Sequence, residues 1–278
     1  MGQKINPNLL QLTKNNNWKS KYFEKISSEC SIYSQRDKEI RNFVVRFFKI
    51  SQLILHNCRL YFFNKSLHIF ISYHSNLNSF SHKIKKNALD RFKLKCYNLK
   101  KQIFFQKLFE SLTSFTKKKI NFFLVLKELK FNIKQIILNA KIKTLIKKNI
   151  ASLRKYQTSK FFKQGINILF NCASNRKSSN LLAKFIAVQL KNLKRHNFFI
   201  RFIQNTLKSF KNNQFFKFKG IKIEIKGRLN RRPRARNKII KISNSVSVLT
   251  IDSIIDYSEE IAFTLNGTIG IKVWIHEF

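Results

Sequence analysis

Acidic side chains are scarce in this chain of 278 residues: 13 Asp and Glu stand against 56 Lys and Arg, a net charge of +43. The deficit is also local, because Leu129 to Ile223 holds no acid while 22 Lys and Arg fall in the same window. Self-repulsion on that scale calls for a polyanion, and a nucleic acid is the obvious one. Proline is limited to Pro7 and Pro233, and glycine to six residues, none between Gln3 and Gln164. A G-x-x-G clamp on a nucleic-acid backbone is therefore excluded from that stretch, since side chains would obstruct the approach. The four cysteines, Cys30, Cys58, Cys96 and Cys172, form no C-x-x-C pair and have no histidine at metal-ligand spacing. Reduced thiols are expected, with no metal site. No apolar run approaches the roughly 18 residues of a membrane span. Even Phe122 to Leu126 is followed at once by Lys127. H-E-x-x-H, G-x-S-x-G and G-x-x-x-x-G-K are all missing, and the neighbouring acids Asp252, Asp256, Glu259 and Glu260 have no matched base. They are expected to cap, face solvent or balance arginines, so neither an enzyme nor a bound cofactor is indicated.

What is present suffices for folding. Hydrophobic residues make up 44% of the chain, with 29 Phe, ample for one large or two ordinary domains. Lys, Asn, Ile and Phe dominate, residues whose codons are rich in A and T, which hints at an AT-rich genome. Residues 1 to 34 read as an extended arm. A helix is expected from about Gln35, where Ile40, Phe43, Val44, Phe47 and Phe48 recur at helical spacing. Strands are expected at Cys58 to Phe63 and at Leu67 to Tyr73, the second alternating Leu67, Ile69, Ile71 and Tyr73 on one face. Residues 76 to 163 are rich in Lys and Phe, with Ile133, Ile136, Ile137, Ala140, Leu145 and Ile146 suggesting a basic amphipathic helix. Gly165 to Phe170 reads as a strand, and Asn171 to Asn180 as a polar link whose Ser178, Ser179 and Asn180 are candidate helix caps. Two apolar stripes follow, one from Leu181 to Leu193 and one from Phe198 to Phe210. Period-two alternation marks the rest as sheet: Ile221, Ile223 and Ile225, then Val246 and Val248, then Ile269, Ile271, Val273 and Ile275.

The sharpest chemical signal runs from Arg228 to Lys238. It places Arg228, Arg231, Arg232, Arg234 and Arg236, five arginines in nine residues, after a strand and around Pro233. Planar guanidinium forks on such a loop pair bidentately with phosphates or stack on bases. A second basic group, Lys191, Lys194, Arg195, His196 and Arg201, sits at the junction of the two helices.

Three motifs carry a family resemblance: Met1-Gly2-Gln3-Lys4-Ile5-Asn6-Pro7-Asn8, Gly220-Ile221-Lys222-Ile223-Glu224-Ile225-Lys226-Gly227-Arg228-Leu229, and Gly267-Thr268-Ile269-Gly270-Ile271-Lys272-Val273-Trp274-Ile275. In this order and at both ends, they resemble ribosomal small-subunit protein S3, the uS3 family. The resemblance implies an α+β fold with a KH-like (type II) N-terminal domain and a C-terminal domain of two helices packed on a mixed β-sheet. On that reading residues 1–34 are the arm, 35–170 the KH-like domain with a long basic insertion at about 76–163, and 171–278 the S3 C-terminal domain. It further implies a structural role in the small subunit, with the arm residues Gly2, Gln3 and Lys4 and the loop residues Lys226, Arg228, Arg231, Arg232, Arg234, Arg236 and Lys238 on small-subunit rRNA. Lys191, Lys194, Arg195 and Arg201 would line the channel where mRNA enters the ribosome, and other proteins of the subunit head would be neighbours. The pair Arg231 and Arg232, with Pro233, departs from the small residues usual after G-R-L. A mature-looking motif at Met1 and the AT-rich style lead to the expectation of an organelle-encoded protein of the mitochondrial ribosome. The alternative is a free-standing organellar RNA-binding or processing factor.

Overall fold

A computed structural model describes residues 6–10, 18–63, 66–75, 90–115 (backbone alone for 90–100), 121–129, 144, 151–211, 218–242, 250 and 253–277. In chain order the elements are α1 (Pro7–Leu10), β1 (Ser20–Lys21), α2 (Glu29–Ile50), β2 (Ile54–Phe62), β3 (Ser66–His74), α3 (Asp90–Phe115), β4 (Asn121–Glu128), α4 (Phe162–Ser174), α5 (Ser179–Asn192), α6 (His196–Lys211), β5 (Phe218–Gly227), β6 (Arg236–Ile242), β7 (Ile255–Thr264) and β8 (Gly267–Glu277). They form two compact units, one of residues 18–130 and one of 1–17 with 131–278.

The first unit is a sheet in the order β1-β2-β3-β4 with helices on one face. Ile40, Val44 and Phe48, four residues apart, form the buried stripe of α2. That helix starts at Glu29, earlier than the expected Gln35, and the Glu29 carboxylate accepts the Lys25 N–H at 3.1 Å beside its first turn. β2 and β3 pair antiparallel, β3 and β4 parallel. A parallel pair needs a crossover, and α3 supplies it. Leu108 and Leu112 of α3 meet Leu60, Leu67, Ile69 and Ile71 in the core, and Phe122, Leu124 and Leu126 of β4 turn to the same side. β4 thus takes into the sheet a part of the segment expected to be an insertion.

The expected strand at Gly165 to Phe170 is a helix instead, and α4 runs on through Ser174, into the expected polar link. A short continuous apolar run fits a buried strand or a buried helix equally well by periodicity. Here tertiary packing decides: Ile166, Ile168, Leu169 and Phe170 are all buried, and α4 packs on α5 and α6. Gly165 permits the approach, since a Cβ there would lie 2.7 Å from the Phe202 ring of α6.

The second sheet has the order β6-β5-β8-β7. All its pairs are antiparallel. The mixed sheet expected of the C-terminal domain is therefore corrected; both pair types occur in the first unit. Ile221, Ile223, Ile225, Ile240, Ile242, Ile271, Val273 and Ile275 make one buried face, and α5 and α6 lie against this sheet. The two expected helices, α5 and α6, are thus on the sheet, and among the described residues α4 and the short α1 also belong to this unit. Of the candidate caps Ser178 takes the N-cap position of α5, yet its hydroxyl donates to the Cys172 and Asn175 carbonyls at 3.1 and 3.2 Å. The free Ser179 N–H is met from across the fold by the Asp256 carboxylate at 2.7 Å. Glu260 reaches Lys184 of α5 at 3.9 Å, and Glu259 accepts the Tyr257 hydroxyl at 2.9 Å. The acids of β7 are structural.

The arm also differs from its expectation. Pro7 occupies the first position of a helical turn and the Asn6 carboxamide accepts the Asn8 N–H at 3.0 Å. Asn8 in turn donates to the Tyr257 carbonyl of β7 at 3.0 Å. Gly2, Gln3 and Lys4, the Ile133 to Ile146 helix and the Val246 and Val248 strand lie outside the described residues. Cys58 and Cys172 are buried thiols and Cys30 an exposed one; burial pushes the Cys172 thiol up to about 12.

Because Gly165 faces a fully buried ring, Gly165→Val should destabilise the protein by about 1–3 kcal/mol through overpacking. Thermal unfolding followed by circular dichroism checks this; an unchanged melting temperature would show that the helices do not approach so closely.

Candidate nucleic-acid interface

The arginine loop starts where β5 ends. Gly227 has φ of 150°, and a Cβ on it would lie 2.9 Å from the Thr268 carbonyl oxygen of β8. Only glycine lets the chain leave the sheet there. Arg228 is exposed and its Nε donates to the Arg232 carbonyl at 3.1 Å, closing the loop on itself. Between them a 3-10 turn, Leu229–Arg231, buries Leu229 as an apolar anchor. Asn230 and Arg231 stand in the left-handed region at φ 52° and 59°. Asn tolerates it; Arg does so at a cost. Arg231, Arg232, Arg234 and Arg236 all face solvent.

The helix junction is built on the same turn. α6 begins at His196 with unpaired backbone N–H groups, as any helix does. The Asn230 carboxamide oxygen accepts two of them, from His196 at 2.6 Å and Asn197 at 3.2 Å. Asn230 N–H donates back to His196 Nδ1 at 3.3 Å, and His196 Nε2 lies 3.0 Å from the Leu193 carbonyl. Nδ1 accepts, so the ring proton sits on Nε2 and the imidazole is neutral. Burial holds its pKa below the ordinary histidine range. Lys191, Lys194 and Arg195 stay exposed around this anchor.

Arg201 and Lys238 extend the patch. Lys238 pairs in register with the inward-facing Ile225, so it lies on the helix-covered side of β6. Burial and the neighbouring Arg201 guanidinium both lower its pKa. Arg236, opposite Gly227, shares that side. The two basic groups read separately from the sequence are thus one surface. Lys226 is not part of it: its ammonium meets Glu224 at 3.1 Å on the other face of the sheet, where Asn237 also donates to Glu224 at 2.9 Å. Burial raises the Glu224 pKa, but those two partners and the charges of Lys226 and Lys222 bring it below its ordinary value. Among the described residues no carboxylate pairs with Lys191, Lys194, Arg195, Arg201, Lys238 or the five loop arginines. Cations without a carboxylate partner are chemically suited to pair with phosphate. Sequence reasoning missed Asn230 and the structural use of His196; an Asn set in a turn among arginines is the only hint of the first.

The anchor has a pH signature. The unfolded chain takes up a proton on His196 at about 6.5, and the folded form only at a lower pH. Its contribution is whole above the unfolded value and is lost as pH falls through the folded one. Melting temperature should therefore drop below about pH 6.5, and less steeply in His196→Gln. Asn230→Ala should cost about 1–2 kcal/mol at neutral pH through the lost caps; identical melting of variant and parent would remove the anchor.

Comparison with known proteins bears on the family. The family model "Ribosomal protein S3, C-terminal domain" matches residues 188–275, a span that holds both basic groups and none of the arm. The small ribosomal subunit protein uS3c of Euglena longa is 30% identical over 282 residues, the whole of both chains. The uS3 of Microcystis aeruginosa is 37% identical over 97 residues, 35% of this chain and 37% of its own, and the uS3c of Tupiella akineta 47% over 58 residues, 21% and 25%. Names of the chloroplast type prevail, and the mitochondrial type expected from the sequence finds no support among them. With a relative alike over its full length and a domain match on the sheet and helices described above, the chain belongs to the uS3 family of small-subunit ribosomal proteins, which are structural proteins and not enzymes.

Proposed function

We propose that this protein is a structural constituent of the small subunit of an organellar ribosome, binding rRNA in the head through the arginine loop. The plastid, rather than the mitochondrion expected from the sequence, is the compartment that the relatives' names favour. The observation that carries the reading is the unpaired cationic surface around Asn230, which is tied to α6 by the cap Asn230 places on it. On this reading Arg228, Arg231, Arg232, Arg234, Arg236 and Lys238 hold rRNA, with Gly2, Gln3 and Lys4 of the arm. Lys191, Lys194, Arg195 and Arg201, at the helix junction, face the incoming message. The first unit serves as the KH-like domain. Its order of helix, two strands, helix and strand supports that, although a chain without glycine from residue 3 to 164 cannot grip a backbone by a glycine loop.

Sedimentation of organelle lysate tests residence: the protein should travel with the small subunit and leave it only at high salt. Six to ten phosphate contacts lose about 10³ to 10⁵ in affinity between 50 and 200 mM salt. Recovery mainly in ribosome-free fractions at moderate salt would favour the free-standing RNA factor. Reversing Arg228, Arg234 and Arg236 to Glu should block incorporation, whereas reversing Lys194, Arg195 and Arg201 should permit assembly and slow translation through structured message. Equal failure of both triple variants to assemble would abolish the division of roles.

A further inference from the structure

The face of the first sheet that turns away from α2 and α3 carries rings. Tyr61, His68 and Phe123 stand side by side in register across β2, β3 and β4. His68 lies 4.7 Å from Phe123 and 4.8 Å from Phe63, and Tyr61 lies 5.2 Å from Phe70, in tilted or edge contacts. Phe63 is 58% exposed and Phe123 53%, though a strand face of this composition is ordinarily covered.

The charges set among these rings have one sign. Lys21 places its ammonium 5.5 Å from the Tyr61 ring, Arg59 stands in register with Phe70, and Lys127 with Ser72. Arg59 and Lys127 are exposed. The nearest acid in sequence, Glu128, turns to the other face and pairs with Lys101 at 2.6 Å. Among the described residues the strands of this face present no carboxylate, so a basic or purely apolar partner gains nothing from the flanking cations. Bases with their phosphates match both components: the π faces accept bases whatever their identity, and the cations meet the backbone.

We propose that this open sheet face is a second RNA site, which stacks the bases of a single-stranded segment on Tyr61, Phe63 and Phe123 and holds its phosphates with Arg59 and Lys127. It works without a glycine clamp, since residues 18–130 hold no glycine, and it lies in the other unit from the arginine loop. The proposal does not depend on the ribosomal assignment.

The test uses the full-length protein and two 12-mers of equal charge, oligouridylate and its abasic counterpart, at about 0.2 M salt, where unspecific phosphate binding is weakened. The base-bearing strand should bind at least about tenfold tighter, in line with stacking of one or more bases. Phe63→Ala with Phe123→Ala should erase most of that preference and leave the salt slope unchanged, while Arg59→Gln with Lys127→Gln should lower the slope by about 2. Phe123→Trp, which keeps a ring, should retain the preference, and ultraviolet crosslinks should map to Tyr61, Phe63 or Phe123. Equal binding of the two strands, a preference that survives the double alanine variant, or loss only of a protein neighbour from purified subunits in that variant would each overturn the site.

Discussion

The cap that Asn230 places on α6 is the contact on which the functional surface depends. It is short, 2.6 Å to the His196 N–H, and links a loop to a helix 34 residues away in sequence. The loop has contacts of its own, in the buried Leu229 and the Arg228–Arg232 bond, but Asn230 is what joins it to α6. With it the loop, the α5–α6 junction and the β6 edge are joined in one surface. The left-handed backbone at Asn230 and Arg231 is the strain accepted for that geometry.

Charge explains why stability must come from elsewhere. Among the described residues the ion pairs are few and partly exposed, as with Asp37 and Arg41, whose guanidinium also ties the Lys19 carbonyl to α2. Such pairs contribute little. Cohesion comes instead from the isoleucine face of the second sheet and from clustered phenylalanines such as Phe161, Phe199 and Phe202. A fold held by its apolar interior can leave its surface cations unpaired and available to a polyanion. Two of the acids serve architecture, Asp256 at the α5 N-terminus and Glu277 accepting the Lys177 N–H at 2.6 Å.

Much of this was legible in the sequence, for physical reasons that differ by element. The alternation Leu67, Ile69, Ile71 and Tyr73 marks β3 because one sheet face is wet and the other is covered, and all four are buried as that pattern requires. Phe199, Phe202, Ile203, Leu207 and Phe210 mark α6 in the same way. Gly165 to Phe170 was misread as strand because a helix buried nearly all round shows no period. The α3 and β4 elements were hidden in a Lys- and Phe-rich stretch whose apolar residues alternate with exposed ones of the same type, Phe122 covered beside Phe123 open. At the candidate interface the arginines announced themselves by density. Their union with the helix junction did not, because it depends on one carboxamide meeting a helix end across the fold, a contact that leaves no local pattern.

The central claim is that the loop and the junction form one surface on RNA. Tethering a hydroxyl-radical source in assembled subunits, at Arg195→Cys in one preparation and at Arg234→Cys in another, measures it directly. In subunits free of message, overlapping cleavage of the rRNA around the patch from both positions is the expected result; cleavage confined to two separate regions with no nucleotide in common would contradict it.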